Sequence, residues 1–319
     1  MVFRYPLTWG AIRQLKRDLA GFRPDVTQTS FLSAFGWPLL WLKLSRFTRK
    51  LIVIDHSSGT GPDPRSGLAP LRQLRRWMVG RILDGVCAVS DYIARRNVER
   101  LFLPRDKMWT IHNGIRPEAH PDPPRAAGGP VTISYAGQLI PEKGVLTLLR
   151  AVAMLADTVR YEMVVNIAGE GPQRPELEAF CRDRRLDNVR FLGHIDTIPD
   201  LFAASDVVVV PSVWAEAFGY VAIEAMACGA AVVTSDAGGL PEVVGDAGRV
   251  FRTADPASLA DQLLALMRTP EGRARLARAG RARVIACFDL EQKVRQRIDL
   301  CKAVLLTPSP GQRGRQICP

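Results

Sequence analysis

The sequence predicts an α/β protein of two domains, each a parallel sheet with crossover helices. Two observations carry this. Short apolar runs alternate with helix-period segments along the whole chain, the signature of strand–helix–strand units. A stretch dense in proline and glycine, His120–Pro130, can continue neither a helix nor a sheet and divides that alternation in two. The 319 residues suffice for two domains, and a hydrophobic content of 47% allows each its own core.

In the first part the strand candidates are Asp25–Thr29, Leu51–Asp55, Val86–Val89 and Met108–Ile111, with helices near 10–21, 36–48, 68–83 and 91–100. In the second part strands are expected at Val131–Ala136, Met163–Ala168, Val189–Leu192, Val207–Val210 and Ala231–Thr234. Helices follow near 143–156, 174–185, 197–204, 219–228, 256–268 and 271–286. The predicted boundaries are 1–125, 126–287, a closing helix in 288–306 and a disordered tail in 307–319. In the closing helix Leu290, Val294, Ile298, Cys301 and Leu305 fall at three- and four-residue steps. That stripe needs a surface, and the second domain is complete without it, so the helix is expected to pack on the first domain.

The formal net charge is +11, and residues 1–125 hold 21 Lys and Arg against 10 Asp and Glu. The rest of the chain is balanced. An excess on one part suits an anionic partner, a membrane surface or an acidic substrate, rather than nucleic acid. Six scattered cysteines show no metal-ligand spacing and no CxxC, so reduced thiols in a cytoplasmic protein are expected. No signal peptide is visible. The apolar run Phe31–Leu42 is too short to span a bilayer and contains Pro38, so any membrane association is peripheral, on the inner face.

The densest chemistry lies in Pro211-Ser-Val-Trp-Ala-Glu-Ala-Phe-Gly-Tyr-Val-Ala-Ile-Glu-Ala-Met-Ala-Cys-Gly229, directly after a buried strand. In open α/β sheets ligands bind beyond the carboxyl ends of strands. Glu216 stands just before the expected helix and Glu224 more than one turn inside it. The backbone N–H groups around Phe218, Gly219 and Tyr220 open that helix, and a helix N-terminus favours an anion such as a diphosphate. One carboxylate can hold sugar hydroxyls and the other a ribose diol. Gly169-Glu-Gly lacks the full GxGxxG spacing and follows the second strand of its domain, which excludes a nicotinamide cofactor.

The Glu-x7-Glu block, with Asp236-Ala-Gly-Gly-Leu-Pro-Glu-Val-Val244 beyond it, resembles the family 4 retaining glycosyltransferases of the GT-B fold. Tyr135-Ala-Gly-Gln-Leu-Ile-Pro-Glu-Lys-Gly144 resembles their first phosphate-binding loop, and Ala168-Gly-Glu-Gly-Pro172 their second glycine loop. Ile111-His-Asn-Gly-Ile115 resembles the turn before their interdomain linker. The resemblance implies two Rossmann-like domains facing a cleft. It implies donor contacts from Gly137, Gln138, Lys143, Gly169, Gly171, Phe218, Gly219, Tyr220, Glu224, Gly238, Gly239 and Asn113. Glu216 would contact the donor sugar, Glu224 the ribose and Lys143 the diphosphate, where it neutralises the leaving group. Gly238 and Gly239, just before a helix start, would let backbone amides approach the ligand closely. His56, after the strand Leu51–Asp55, resembles the histidine facing the donor sugar from the first domain.

Two departures stand out. Gln138 occupies a place where the family usually has arginine, and an amide replaces neither the charge nor the fork of a guanidinium on a phosphate. The family also opens with a strand and a glycine-rich turn, whereas this chain starts at a helix. About two strand–helix units, roughly 60 residues, are therefore expected to be missing from the first domain, leaving an open sheet edge.

The implied function is retaining transfer of a sugar from a nucleotide-diphospho-sugar to a glycan or lipid-linked acceptor, in cell-surface polysaccharide synthesis. No cofactor and no metal are expected, since no Asp-x-Asp occurs in the chain. The alternatives are a truncated copy that binds a nucleotide sugar without turnover, and a nucleotide-sugar epimerase on the same scaffold.

Overall fold

The computed structural model describes residues 9–30, 39, 42–43, 48–59, 78, 80–117 and 129–306. These divide into two compact units. One takes in the described residues of Met1–His112 and Val294–Pro319, the other Asn113–Lys293. The expected linker, the helices near 36–48 and 68–83, the run Phe31–Leu42 and the tail lie wholly or largely outside the described residues.

The first unit holds a four-stranded parallel sheet in chain order, β1 (Val26–Ser30), β2 (Lys50–Asp55), β3 (Gly85–Ala88) and β4 (Met108–Thr110). β3 is buried throughout and β2 from Leu51 onward, and both are apolar there except for the buried Asp55 that ends β2, as strands covered on both faces require. Helix α1 (Trp9–Phe22) contributes Leu19 to a core with Leu39, Leu42, Leu51, Val53, Leu83 and Val86. Helix α2 (Asp91–Leu101) starts at Ser90, whose hydroxyl accepts from the N–H of Ile93 at 3.2 Å.

The second unit holds six parallel strands, β5 (Val131–Ala136), β6 (Met163–Ala168), β7 (Val189–Gly193), β8 (Val207–Val210), β9 (Ala231–Ser235) and β10 (Arg249–Phe251). Their order is β10-β9-β8-β5-β6-β7. The chain thus builds outward from β5 in one direction and, from β8, in the other. The adjacent pair β5–β8 is the point where the winding reverses, the place such sheets use to bind ligands. Asp206 locks that pair, accepting from Thr132 N–H on its carboxylate and donating its own N–H to Thr132 C=O, both at 2.9 Å.

The helices here are α3 (Val145–Met154), α4 (Asp157–Arg160), α5 (Arg174–Asp183), α6 (Ile198–Ala203), α7 (Tyr220–Ala227), α8 (Leu240–Val244), α9 (Pro256–Arg268) and α10 (Pro270–Cys287). Asp255 caps α9, accepting from Ser258 N–H at 3.0 Å, with Pro256 at the first helical position. α4 and β10 had no sequence signal. The first is one turn, and the second is three edge residues, of which Phe251 alone is buried.

The last helix, α11 (Leu290–Leu306), continues from Val294 as part of the first unit. There Gln28 on β1 donates to the Cys301 sulfur at 2.7 Å. The buried face of α11 differs from the predicted stripe. Lys293, Leu300 and Val304 are buried, whereas Val294 and Ile298 are nearly half exposed. The buried positions lie about one residue away from the predicted stripe. Among the described residues no helix is long and apolar enough to cross a membrane.

Three arginines on α10 each close the carboxyl end of another helix. Arg273 donates to Leu266 and Met267 C=O on α9, Arg281 to Ala227 C=O on α7, and Arg283 to Glu242 and Val243 C=O on α8. Those carbonyls have no partner inside their own helices and carry the negative end of the dipole. Arg283 also lies over the Phe288 ring, 5.7 Å from its centroid. Arg283→Met keeps the apolar stem and loses two charged hydrogen bonds. It should cost about 1–3 kcal/mol, measured as a lower denaturation midpoint in urea at unchanged slope. An unchanged midpoint would refute this role.

Candidate functional site

The loops leaving β5 and β8 are knitted together at the reversal point of the second sheet. The β5 loop runs through a short 3-10 turn, Pro141–Lys143, to Gly144, where α3 begins. Val213 and Trp214 of the β8 loop both donate their N–H to the Glu142 carbonyl, at 3.0 and 3.2 Å. Gly144 has φ +68°, and a side chain there would bring Cβ within 2.0 Å of the Pro211 oxygen. Glycine is therefore required where the loops cross.

This crossing brings two predicted residues into contact. Lys143 Nζ lies 2.6 Å from Glu216 Oε1, an ion pair whose side chains are 34% and 14% exposed. Ser212 Oγ donates to the same oxygen at 2.8 Å, and the Ser212 carbonyl accepts from Ser235 Oγ at 2.6 Å. Tyr135, at the end of β5, donates its hydroxyl to the Gln138 carbonyl at 2.8 Å. Burial, then the charge of Glu216, pushes that phenol well above its ordinary value of 10.0, so it stays a donor. Ser212, Ser235 and Tyr135 were not anticipated from the sequence. Ser212 lay inside the strongest motif, and its place four residues before Glu216 was the available signal.

The predicted glycines pack loop on loop. Gly169, after β6, backs onto the Gly137 carbonyl, and Gly171 backs onto Leu139. Gly238, after β9, has φ +69° and lies against the Glu216 backbone, where a Cβ would come within 2.3 Å of its oxygen. Gly239 donates its N–H to the Glu216 carbonyl at 2.8 Å. That amide is spent on holding Glu216, so in this arrangement it is not offered to a ligand. Gln138 is exposed on the β5 loop.

Gly219, in left-handed backbone, starts α7, and Glu224 sits half-buried on its fifth residue. At a rise of about 1.5 Å per residue the carboxylate stands roughly 6 Å along the helix from its first residue. Phe218 is 2% exposed and packs edge-on against Phe288 at 5.5 Å and Tyr220 at 5.7 Å. Its ring anchors the loop. Asn113 is buried near the point where Ile115 exchanges hydrogen bonds with Phe288 and Leu290.

His56 follows β2 in the first unit and is half-buried. Burial, then the charge of Arg297 on α11, lowers its pKa from 6.5, against the opposing pull of Asp55. Among the described residues no group of three His, Cys, Asp or Glu side chains could hold a metal ion.

The family description "Glycosyl transferases group 1" matches residues 117–283, more than half of the chain, and "Glycosyltransferase Family 4" matches residues 2–119. The chain belongs to the family 4 glycosyltransferases. The chain is 34% identical over 233 residues to a glycogen synthase of Mycobacterium tuberculosis, covering 67% of this chain and 56% of that protein. It is 32% identical over 277 residues to a D-inositol 3-phosphate glycosyltransferase of Saccharomonospora viridis, covering 80% of this chain and 62% of the relative. The chain therefore spans between 56% and 62% of these relatives' lengths. Among solved structures it resembles Anabaena Alr3699/HepE in complex with UDP, with TM-score 0.77, 19% identity, and coverage of 92% of this chain and 82% of that one. Its two parallel-sheet α/β regions are those of the Rossmann-like GT-B fold.

Burial of His56 makes stability depend on pH. As pH falls through 6.5, the unfolded chain takes up a proton that folded His56 still refuses, so stability drops. His56→Asn removes this contribution. The stability difference between wild type and variant should move against wild type between about pH 7.5 and pH 5.5. A difference that stays constant in thermal melts across that range would contradict the assignment.

Proposed function

We propose that this glycosyltransferase transfers a sugar from a nucleotide-diphospho-sugar to a glycan or lipid-linked acceptor, with retention of configuration, in cell-surface polysaccharide synthesis. The observation that carries the reading is the Lys143–Glu216 ion pair at the reversal point of the second sheet. It puts a cation and an oriented carboxylate beside the start of α7, where a diphosphate and its sugar need opposite recognition. The relatives named for glycogen synthesis and for transfer to D-inositol 3-phosphate support it, as does the solved neighbour's complex with UDP.

On this reading Lys143 moves from Glu216 to the diphosphate as the donor enters. It then stabilises the negative charge that grows as the glycosidic bond breaks. Glu216, still held by Ser212, takes the sugar hydroxyls, and Glu224 takes the ribose diol. The acceptor hydroxyl attacks the face from which the diphosphate departs. The basic excess of residues 1–125 suits an acceptor, or a membrane surface presenting it, that carries negative charge.

Glu224→Gln should weaken nucleoside diphosphate binding by about 1–3 kcal/mol, read by calorimetry. Glu216→Ala should abolish transfer while the nucleoside diphosphate still binds. Normal affinity in the first variant, or near wild-type turnover in the second, would sink the assignments. Because Lys143 supplies the positive charge, turnover should also survive an excess of EDTA. A loss restored by a divalent cation would exclude the metal-free route.

A further inference from the structure

β2 ends on an acid that is spent entirely inside the protein. Asp55 is 6% exposed and pairs with Arg96, 3% exposed, at 2.9 Å. Asn97 donates its side-chain amide to the same Asp55 oxygen at 2.8 Å. The other Asp55 oxygen accepts from both the N–H, at 2.9 Å, and the hydroxyl of Ser57. Arg96 and Asn97 are consecutive on the buried side of α2, one strand further along the sheet.

The guanidinium does more than neutralise Asp55. Its Nη1 donates to the Ser57 carbonyl at 2.7 Å and the Gly59 carbonyl at 3.1 Å. Its Nη2 also reaches the Ser57 hydroxyl at 2.8 Å. Tyr92, one helical turn earlier, donates to the Gly59 carbonyl at 3.4 Å. The loop 56–59 is thus clamped through its own backbone, on both sides of Ser58. Meanwhile Arg96 Nε is buried with no hydrogen-bond partner among the described residues.

Stability alone is a poor account of this. A buried ion pair is often matched or bettered by apolar residues of similar volume, and a buried unsatisfied N–H is costly. The arrangement accepts that cost and gains one backbone geometry for a four-residue loop whose first residue is His56. We propose that Asp55, Arg96 and Asn97 are positioning residues that fix the loop 56–59 and thereby hold the His56 ring in the orientation transfer requires. The inference rests on the family resemblance that gives His56 a role in transfer. Its basis in the first unit is independent of the donor site.

The test uses the full chain. Arg96→Lys keeps the charge but cannot fork to two carbonyls. The expected result is a fall in kcat of about tenfold or more, an unchanged donor KM and unchanged nucleoside diphosphate affinity. A second variant, Asp55→Asn with Arg96→Met, removes the pair without stranding a charge. It should fold with near wild-type stability and show the same loss. Adding Arg96→Lys to His56→Asn should cost little further, because both act through one ring. Full additivity, or wild-type kcat in the charge-neutral double variant, would overturn the proposal.

A readout apart from activity keeps the test open if transfer itself is not found. The chain has four histidines, so the His56 ring resonance can be assigned by comparison with His56→Asn. Asp55 and Arg297 are the charged groups acting on it. In Arg96→Lys a loosened loop lets water reach the ring, and its titration midpoint should rise toward 6.5. An unmoved midpoint with an unbroadened resonance would overturn the clamp, whatever the outcome for nucleotide binding.

Discussion

The arrangement of the second unit depends on one constraint, the crossing of the β5 and β8 loops at Gly144 and Glu142. Parallel strands that wind outward in opposite directions leave a crevice between their first members. Here that crevice is lined by two loops in backbone contact, with the Glu142 carbonyl taken by two amides of the partner loop. Lys143 and Glu216 meet because the backbone around each is fixed before their side chains are considered. Gly238 and Gly239 hold the Glu216 backbone from the β9 side, while Lys143 and Ser212 hold its carboxylate.

Charge is used differently in different places. In the second unit, arginines that look from the sequence like a basic helix are structural, since Arg273, Arg281 and Arg283 each close a neighbouring helix. In the first unit Arg96 shapes a loop, and Arg297 sets the electrostatic surroundings of His56. Counting cations therefore says little about ligands until each guanidinium has been followed to its partner. The pairing of Lys143 with Glu216 is the instructive case. Two charges that a diphospho-sugar could use are held together, poised and mutually neutral.

Element placement was legible wherever the apolar pattern was long enough. β5, β6, β8 and α9 begin and end where the pattern does, because a strand buried on both faces or a helix with a cap and proline has few alternatives. The edge strand β10 was not legible, because one buried phenylalanine makes no periodicity. The phase of α11 was also misread. The apolar steps of the sequence pointed to Val294 and Ile298, while burial falls on Leu300 and Val304.

From the sequence alone came two α/β regions, the loops that carry chemistry and the family they resemble, because strand period, glycine placement and residue type are local properties of the chain. The order of strands, and hence which loops share a crevice, was decided by tertiary structure. So were the Ser212 and Tyr135 hydrogen bonds, the pairing of Lys143 with Glu216 and the clamp of Arg96 on the loop after Asp55. The last two join groups from separate elements, Lys143 and Glu216 lying 73 positions apart and the Arg96 clamp spanning some forty. Distance along a sequence carries no information about such contacts. They exist because the sheets bring the carboxyl ends of their strands to one edge.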